Sequence, residues 1–177
     1  MRYAPLLIFL AVFLVFMAGC TGPTPNVTNP DTPTTTTLFS APPEIMKKIA
    51  VCEKIQNSTE RDGCYAYVAI NARNDGICNI IKDPDIMDNC NSEIGKRRKQ
   101  TSICDKIQGA KVKDECYMVV AKANRDKATC DKVGDSEKRD DCYLTVAQSR
   151  KDSTICDSIE NQERKDYCYM KLAKIVG

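Results

Sequence analysis

Residues 103–121 read ICDKIQGAKVKDECYMVVA, and similar stretches stand at 129–147 (TCDKVGDSEKRDDCYLTVA) and 154–173 (TICDSIENQERKDYCYMKLA). After Cys20, ten cysteines follow at alternating intervals of 12 and 14 residues, so a period of 26 residues holds without a slip through five copies. A fixed period of this length is typical of stacked repeat proteins. We therefore divide the chain into repeats 1 to 5, which are residues 48–73, 74–99, 100–125, 126–151 and 152–177.

Each repeat has the pattern of two helices joined by a polar turn. The Ile-Cys-x-x-Ile spacing at 103–107 suits a short helix that is buried on one side. The Cys-Tyr-x-x-Val-Ala pattern at 116–121 places four side chains on one face of a second helix, where the small alanine lets a neighbouring helix approach closely. The sequence therefore predicts an all-α fold, a short α-solenoid of five stacked α-hairpins within a repeat domain at 44–177.

Acidic and amide residues recur where helices are predicted to begin. An aspartate stands two residues before the second cysteine of every repeat: Asp62, Asp88, Asp114, Asp140 and Asp166. Because an aspartate at a helix start accepts hydrogen bonds from free backbone N–H groups, we predict that these five cap the second helices. Asn74, Asp126 and Asp152 begin their repeats and are predicted to cap the first helices.

The cysteines are predicted to form disulfides, because helices this short and a core this thin are marginally stable alone. Closing a loop of about 12 residues contributes about 3 kcal/mol in the chain-entropy model. Two regular pairings are open. Pairing at a separation of 14 leaves Cys52 and Cys168 unpaired, so completeness favours pairing at 12. That pairing joins Cys52–Cys64, Cys78–Cys90, Cys104–Cys116, Cys130–Cys142 and Cys156–Cys168.

The N-terminus reads as an export signal. Residues 1–20, MRYAPLLIFLAVFLVFMAGC, have a basic start, an apolar stretch and small residues at the end. The last four, Met17-Ala18-Gly19-Cys20, resemble the lipobox of prokaryotic lipoprotein precursors, which implies lipidation of Cys20 after cleavage. The alternative is an uncleaved signal anchor, since the apolar run is just long enough to span a membrane. Both interpretations place the protein on the extracytoplasmic face of the cell membrane.

A linker rich in threonine and proline follows at 21–43. This composition cannot bury enough apolar surface to fold, so we predict a disordered stalk. Asn26 and Asn57 fit the N-glycosylation pattern and are candidate acceptors. The lipobox followed by a stalk resembles archaeal surface lipoproteins, and the repeat is similar to uncharacterised Cys-rich helical repeats of such proteins. The resemblance implies a location and a fold type, and it implies no activity.

The residue inventory argues against catalysis and cofactors. The chain contains no histidine, which removes the usual general base near neutral pH and the commonest metal ligand. Closely spaced cysteine pairs of the kind found in zinc, iron–sulfur and redox sites are absent from the sequence. The net charge of +2 is too balanced for a general nucleic-acid binder. We therefore expect no enzyme activity, catalytic residue, metal, cofactor or nucleic-acid partner.

Repeat 2 departs from the others. Asn91 stands where a ladder of tyrosines runs through the other repeats, and Gly95 replaces the alanine. The ladder itself is predicted to pack in the core: Tyr65, Tyr117, Tyr143 and Tyr169.

Repeat 2 ends in the densest basic run of the chain: Lys96, Arg97, Arg98 and Lys99. The simpler interpretation is a solvated helix C-terminus, where cations suit the dipole. The other is a docking patch for an anionic glycan, lipid headgroup or acidic partner. We expect a noncatalytic, membrane-anchored protein that presents a protein- or glycan-binding surface. The alternative is a structural spacer of the cell envelope without a specific ligand.

Overall fold

The computed structural model describes residues 41–176, so the signal segment and nearly all of the linker lie outside it. Within that range the chain is helical and contains no strand. The α-helices are α1 (Pro43–Cys52), α2 (Ser58–Ala72), α3 (Pro84–Arg98), α4 (Thr101–Cys104), α5 (Ala110–Asn124), α6 (Lys127–Cys130), α7 (Ser136–Arg150) and α8 (Gln162–Val176). The 3-10 helices are Ile77–Ile80 and Ser153–Ser158. The all-α repeat fold is confirmed.

The two helices of each hairpin differ in length. The second helix has 15 residues in every repeat, whereas the first is a single turn of four to six residues in repeats 2 to 5. Asp126 accepts the N–H of Ala128 at 3.0 Å and Asp152 accepts that of Thr154 at 3.1 Å, which confirms both predicted caps. Asn74 accepts the N–H of Gly76, which is itself the N-cap of the 3-10 helix, so Asn74 bonds the turn ahead of that helix and does not cap it as predicted. The turn continues beyond each helix, because the N–H of the residue three positions after the cysteine donates to the carbonyl oxygen of the cysteine, as Ile107 N–H does to Cys104 O at 3.1 Å.

Repeat 1 begins with a longer helix. Helix α1 starts at Pro43, five residues before the repeat boundary drawn from the period and within the predicted linker. Proline is tolerated there because the first helical position has no intrahelical partner for an N–H. Ile49 is buried, and Ile45 is half-buried against the same cluster. The folded region therefore extends one residue further towards the N-terminus than predicted.

The five disulfides join the cysteines that are 12 residues apart, as completeness favoured: Cys52–Cys64, Cys78–Cys90, Cys104–Cys116, Cys130–Cys142 and Cys156–Cys168. Their Cα atoms lie 5.6–5.9 Å apart. Each bridge links the first helix or single turn of a repeat to the second turn of the long helix in the same repeat. Nine of these cysteines are buried, and Cys64 is half-buried.

The long helices pack side by side, and the disulfide of repeat 3 packs against the long helix of repeat 2. The position of the small residue on the long helix is fully buried in repeats 1 to 4: Ala69, Gly95, Ala121 and Ala147. A Cβ added at Gly95 would lie 3.0 Å from Cys116 Sγ and 3.5 Å from Ile103 Cβ, both in the next repeat. The small residue is therefore needed because the next disulfide rests on it.

The five recurrent aspartates do not cap their own helices, so that prediction is wrong. Each stands in the second turn of a long helix, and the first four accept backbone N–H bonds from the following repeat. Asp114 accepts from Gly134 at 2.8 Å and from Asp135 at 3.1 Å. Asp88 and Asp140 make the same pair of bonds, one to each carboxylate oxygen, at 2.7–2.9 Å. Asp62 accepts both equivalent N–H groups on Oδ2, at 2.9 and 3.0 Å. We call this arrangement the aspartate clamp.

The clamp holds neighbouring repeats together through the turn before each long helix. The two N–H groups belong to residues that cannot bond within a helix, because they precede it. A carboxylate with two oxygens satisfies both at once, and such charge-assisted bonds are the stronger kind. Asp166 has no following repeat within residues 41–176, and it accepts only from Gln162 Nε2 of its own helix.

The buried apolar residues form two clusters, which divide within repeat 3. One cluster of buried apolar residues runs from Ile49 to Ile103, and a second runs from Cys104 to Leu172. Near the boundary, Asn91 and Ser92 are each 2% exposed. Within residues 41–176, Asn91 Oδ1 and Ser92 Oγ have no hydrogen-bond partner. Asn91 therefore places a polar side chain where repeats 1, 3 and 4 bury a tyrosine.

Candidate binding surface

The long helices end along one edge of the stack. Asn124 Nδ2, at the end of α5, donates to Lys99 O at 2.8 Å, at the end of α3. Arg98 Nη1 lies 3.5 Å from Arg73 O in the same way, linking the ends of α3 and α2. Packed helices lie about 8–10 Å apart, so groups at equivalent positions recur along this edge at about that spacing.

Four basic residues, which we call the basic row, occupy the same position at this edge: Arg73, Lys99, Arg125 and Lys151. Each follows the last residue of a long helix and has a left-handed backbone, with φ between 51° and 55°. All four are exposed, and none forms an ion pair within residues 41–176. The row is therefore a line of unneutralised cations at helix C-termini.

Glycine would be the more stable residue at each of these positions. A left-handed backbone costs a residue with a Cβ about 1–2 kcal/mol, and glycine avoids that cost. A cation beside a helix C-terminus contributes about 0.3–1 kcal/mol in return at an exposed site. The chain nevertheless places a long cationic side chain there four times in succession. The local departure from the favoured residue marks these positions as candidates for a role beyond folding.

Replacing Arg125 by glycine is expected to raise the free energy of unfolding by about 0.5–1 kcal/mol, because relief of the left-handed strain exceeds the lost dipole interaction. Chemical denaturation of the oxidised protein measures this change. The matched control is Arg125→Ala, which removes the charge but keeps the Cβ, and it is expected to be no more stable than the wild type. Equal stability of the glycine and alanine variants would contradict the strain argument.

Three of the four cations in the predicted basic run at 96–99 form ion pairs with two carboxylates. Lys96 and Arg97 lie 3.5 Å and 4.0 Å from carboxylate oxygens of Glu93. Arg98 Nη1 lies 2.9 Å from Asp75 Oδ1, which is also bridged to Lys106. Lys99 alone of the four is unpaired within residues 41–176. The structure therefore splits the predicted patch and joins Lys99 to three cations that lie far from it in sequence.

The tyrosine ladder is internal in three repeats. Tyr117 and Tyr143 are 5% and 6% exposed, and their hydroxyls donate at 2.6 Å to Asp105 and Asp131 respectively. Burial, together with the hydrogen bond to Asp131, raises the pKa of Tyr143 to about 12. Burial and the Asp105 bond raise the pKa of Tyr117 in the same way. These hydroxyls are held protonated as structural donors, which confirms the predicted packing role.

The last tyrosine of the ladder differs. Tyr169 donates to Asp157 but is 38% exposed. The predicted glycosylation site Asn57 is exposed and caps α2, because its Oδ1 accepts the N–H of Glu60 at 3.1 Å. Asn26 and the predicted lipid site Cys20 lie outside the described residues.

The described part of the chain places no group of three or more potential ligand side chains where they could hold a metal ion. None of the helices in residues 41–176 is long and apolar enough to cross a membrane. Comparisons of the chain with protein-family models, with curated proteins and with solved structures found no match.

Proposed function

We propose that this chain is a noncatalytic, membrane-anchored protein of the extracytoplasmic face, held by a lipid on Cys20 or by its uncleaved signal segment. It presents a repeat surface to a protein or glycan partner. Two features support the location. Residues 1–20 have the pattern of an exported lipoprotein precursor, and five disulfides in 134 residues are typical of proteins that fold in an oxidising compartment.

The basic row carries the proposal of a binding surface. Its four cations are exposed, unpaired within the described residues and repeated along one edge. A line of like charges at about 10 Å intervals attracts an extended polyanion more than a compact ligand, because each cation meets a separate anionic group. The chemistry of the partner is therefore that of an anionic polymer, either an acidic polysaccharide or an acidic stretch of protein.

Binding to heparin, as a sulfated polysaccharide, and to polyglutamate, as an acidic polypeptide, tests this proposal. We expect the full oxidised chain to bind one of these probes with an affinity that falls as salt rises. Replacing all four residues of the basic row by glutamine is expected to weaken that binding at least tenfold, because four charge contacts are lost. Isothermal titration or surface plasmon resonance measures the affinity.

A charge-matched control separates the row from net charge. Four other exposed lysines, none in an ion pair within residues 41–176, are replaced by glutamine together: Lys47, Lys48, Lys82 and Lys111. This variant has the same net charge as the row variant and is expected to retain more than half of the wild-type affinity. Equal losses in both variants would show nonspecific attraction, and no binding to either probe would overturn the proposal.

A structural spacer of the cell envelope is the second candidate function. It is favoured by the covalent staple in each repeat, since a rigid rod needs repeats that do not unfold one at a time. A spacer needs no polyanion, so it predicts that the row variant and the control variant behave alike in the binding experiment.

A further inference from the structure

Within residues 41–176, no repeat covers the face of repeat 5 that points away from repeat 4. Ala173 is exposed, whereas the equivalent alanines of repeats 1, 3 and 4 are 0% exposed. Tyr169 is 38% exposed, against 5% and 6% for Tyr117 and Tyr143. An open pocket of about 430 Å³ lies on this face, and it is lined by Lys151, Ser153, Tyr169, Leu172 and Ala173. In repeats 1 to 4 the following repeat covers this surface, which we call the rear face.

The opposite face, on repeat 1, is likewise left uncovered by the described part of the chain. Val51 is 62% exposed, whereas the residues at its position in the later repeats are 1–3% exposed: Ile77, Ile103, Thr129 and Ile155. Ile55 is half-buried, although its later equivalents are buried. Cys64 is the one half-buried cysteine of the ten. We call this surface the front face. In repeat 3 the equivalent surface lies against Gly95 of repeat 2.

The polar groups of the two faces are complementary. Asp166 on the rear face is exposed and lacks the two backbone donors that the other four clamp aspartates bind. On the front face, the N–H groups of Gln56 and Asn57 hold the equivalent positions to the clamp donors. Within residues 41–176 they have no acceptor. One face therefore offers the carboxylate of a clamp, and the other offers its pair of donors.

A second polar pair fits the same junction. Lys132 Nζ donates to Asp105 Oδ1 of the preceding repeat at 2.8 Å. Lys54 on the front face and Asp157 on the rear face stand at the equivalent repeat positions, and both are exposed. Contact between two rear faces has no such pairing of opposite charges, because Asp157 and Asp166 of one copy would face Asp157 and Asp166 of the other. The charges therefore favour front-to-rear contact over a symmetric pair.

We propose that the rear face of one molecule binds the front face of a second copy of the same chain, continuing the stack from repeat 5 into repeat 1. Asp166 then clamps Gln56 and Asn57 of the second copy, Val51 covers Ala173, and Lys54 meets Asp157. Such contact is heterologous and leaves a free face at each end, so it generates open chains of molecules. This inference rests on the repeat junctions and is independent of the proposed binding of polyanions.

Analytical ultracentrifugation of variants that block one face each tests the proposal. The full oxidised chain is produced without N-glycosylation, because a glycan on Asn57 would stand at the junction, and is kept in a mild detergent. We expect the mass of the wild type to rise with concentration beyond two chains. Val51→Arg blocks the front face and Ala173→Arg blocks the rear face. Both side chains are exposed, so neither change should disturb folding, and each variant alone is expected to remain a single chain.

An equimolar mixture of the two blocked variants is the decisive sample. Ala173→Arg keeps an intact front face and Val51→Arg keeps an intact rear face, so the mixture is expected to reach two chains and no more. Val119→Arg is the control, since Val119 is 44% exposed although repeats flank it on both sides, and it should associate like the wild type.

Four results would overturn the proposal. The first is a wild type that stays a single chain at every concentration. The second is association that the blocking substitutions leave unchanged, which would indicate contact through the apolar residues 4–18. The third is an equimolar mixture of the two variants that stays monomeric. The fourth is a dimer that is lost only with Ala173→Arg, because that result indicates rear-to-rear contact.

Discussion

Reduction of the five disulfides is expected to unfold the repeat array at 25 °C. Each bridge closes a 12-residue separation and contributes about 3 kcal/mol, so five contribute roughly 15 kcal/mol in the chain-entropy model. The whole stability of an ordinary domain is about 5–15 kcal/mol. The apolar core of this protein is thin. Each long helix of repeats 3 to 5 buries one large aliphatic side chain, Val120, Val146 or Leu172, and the segment before each long helix buries no more than two. Loss of the bridges therefore removes most of the stability.

Circular dichroism measures this effect. Because nine of the bridged cysteines are buried, reduction is carried out in denaturant, and the denaturant is then removed while the reductant stays. The control takes the oxidised protein through the same denaturant cycle without reductant, and it should recover its helical signal and its melting transition. A reduced protein that regains the full helical signal and melts at the same temperature would contradict the dominant role of the disulfides.

Asp114→Asn is expected to destabilise the oxidised protein by about 2–3 kcal/mol. The carboxylate accepts two N–H groups of the next repeat at 2.8 and 3.1 Å. An amide of the same shape has one acceptor oxygen, so its NH₂ group would face the other donor, and one N–H at the junction would lose its partner. The cost combines a lost charge-assisted bond with an unsatisfied donor. Urea denaturation followed by circular dichroism measures the difference.

The chain contains its own control for this substitution. Asp166 stands at the same position of repeat 5, but it is exposed and bonds only to Gln162 within the described residues. At concentrations where the protein is a single chain, Asp166→Asn is therefore expected to change the free energy of unfolding by no more than about 0.5 kcal/mol, as for an ordinary surface site. Equal effects of the two substitutions would show that the aspartate acts within its own helix, as the sequence suggested, and not between repeats.

The parts of the fold that follow from the 26-residue period and from the even number of cysteines in the repeats could be predicted from the sequence. The spacing of the cysteines predicted five repeats, and the need to use every cysteine predicted the pairing. The Cys-Tyr-x-x-Val-Ala pattern predicted which face of the long helix is buried. These features are local or strictly periodic, so they can be recognised without knowing how one repeat lies against the next.

The aspartate clamp could not be predicted in this way, because its donors stand 20 and 21 residues after the carboxylate and belong to another repeat. An aspartate near a helix start is explained more simply by capping, and only the packing of repeats shows otherwise. The basic row was missed for a related reason. Reading along the chain draws attention to the dense run at 96–99, whereas the row contributes one cation every 26 residues.

Mass-spectrometric mapping of the disulfides in the native, unreduced protein tests most directly whether each disulfide joins two cysteines of the same repeat. Trypsin can cleave between every two consecutive cysteines after residue 51, so each bridge yields its own linked pair of peptides. Within-repeat pairing predicts five linked pairs, Cys52–Cys64 through Cys156–Cys168, and no free thiol among these ten. Linked pairs such as Cys64–Cys78 or Cys116–Cys130, or free thiols in folded protein, would contradict it.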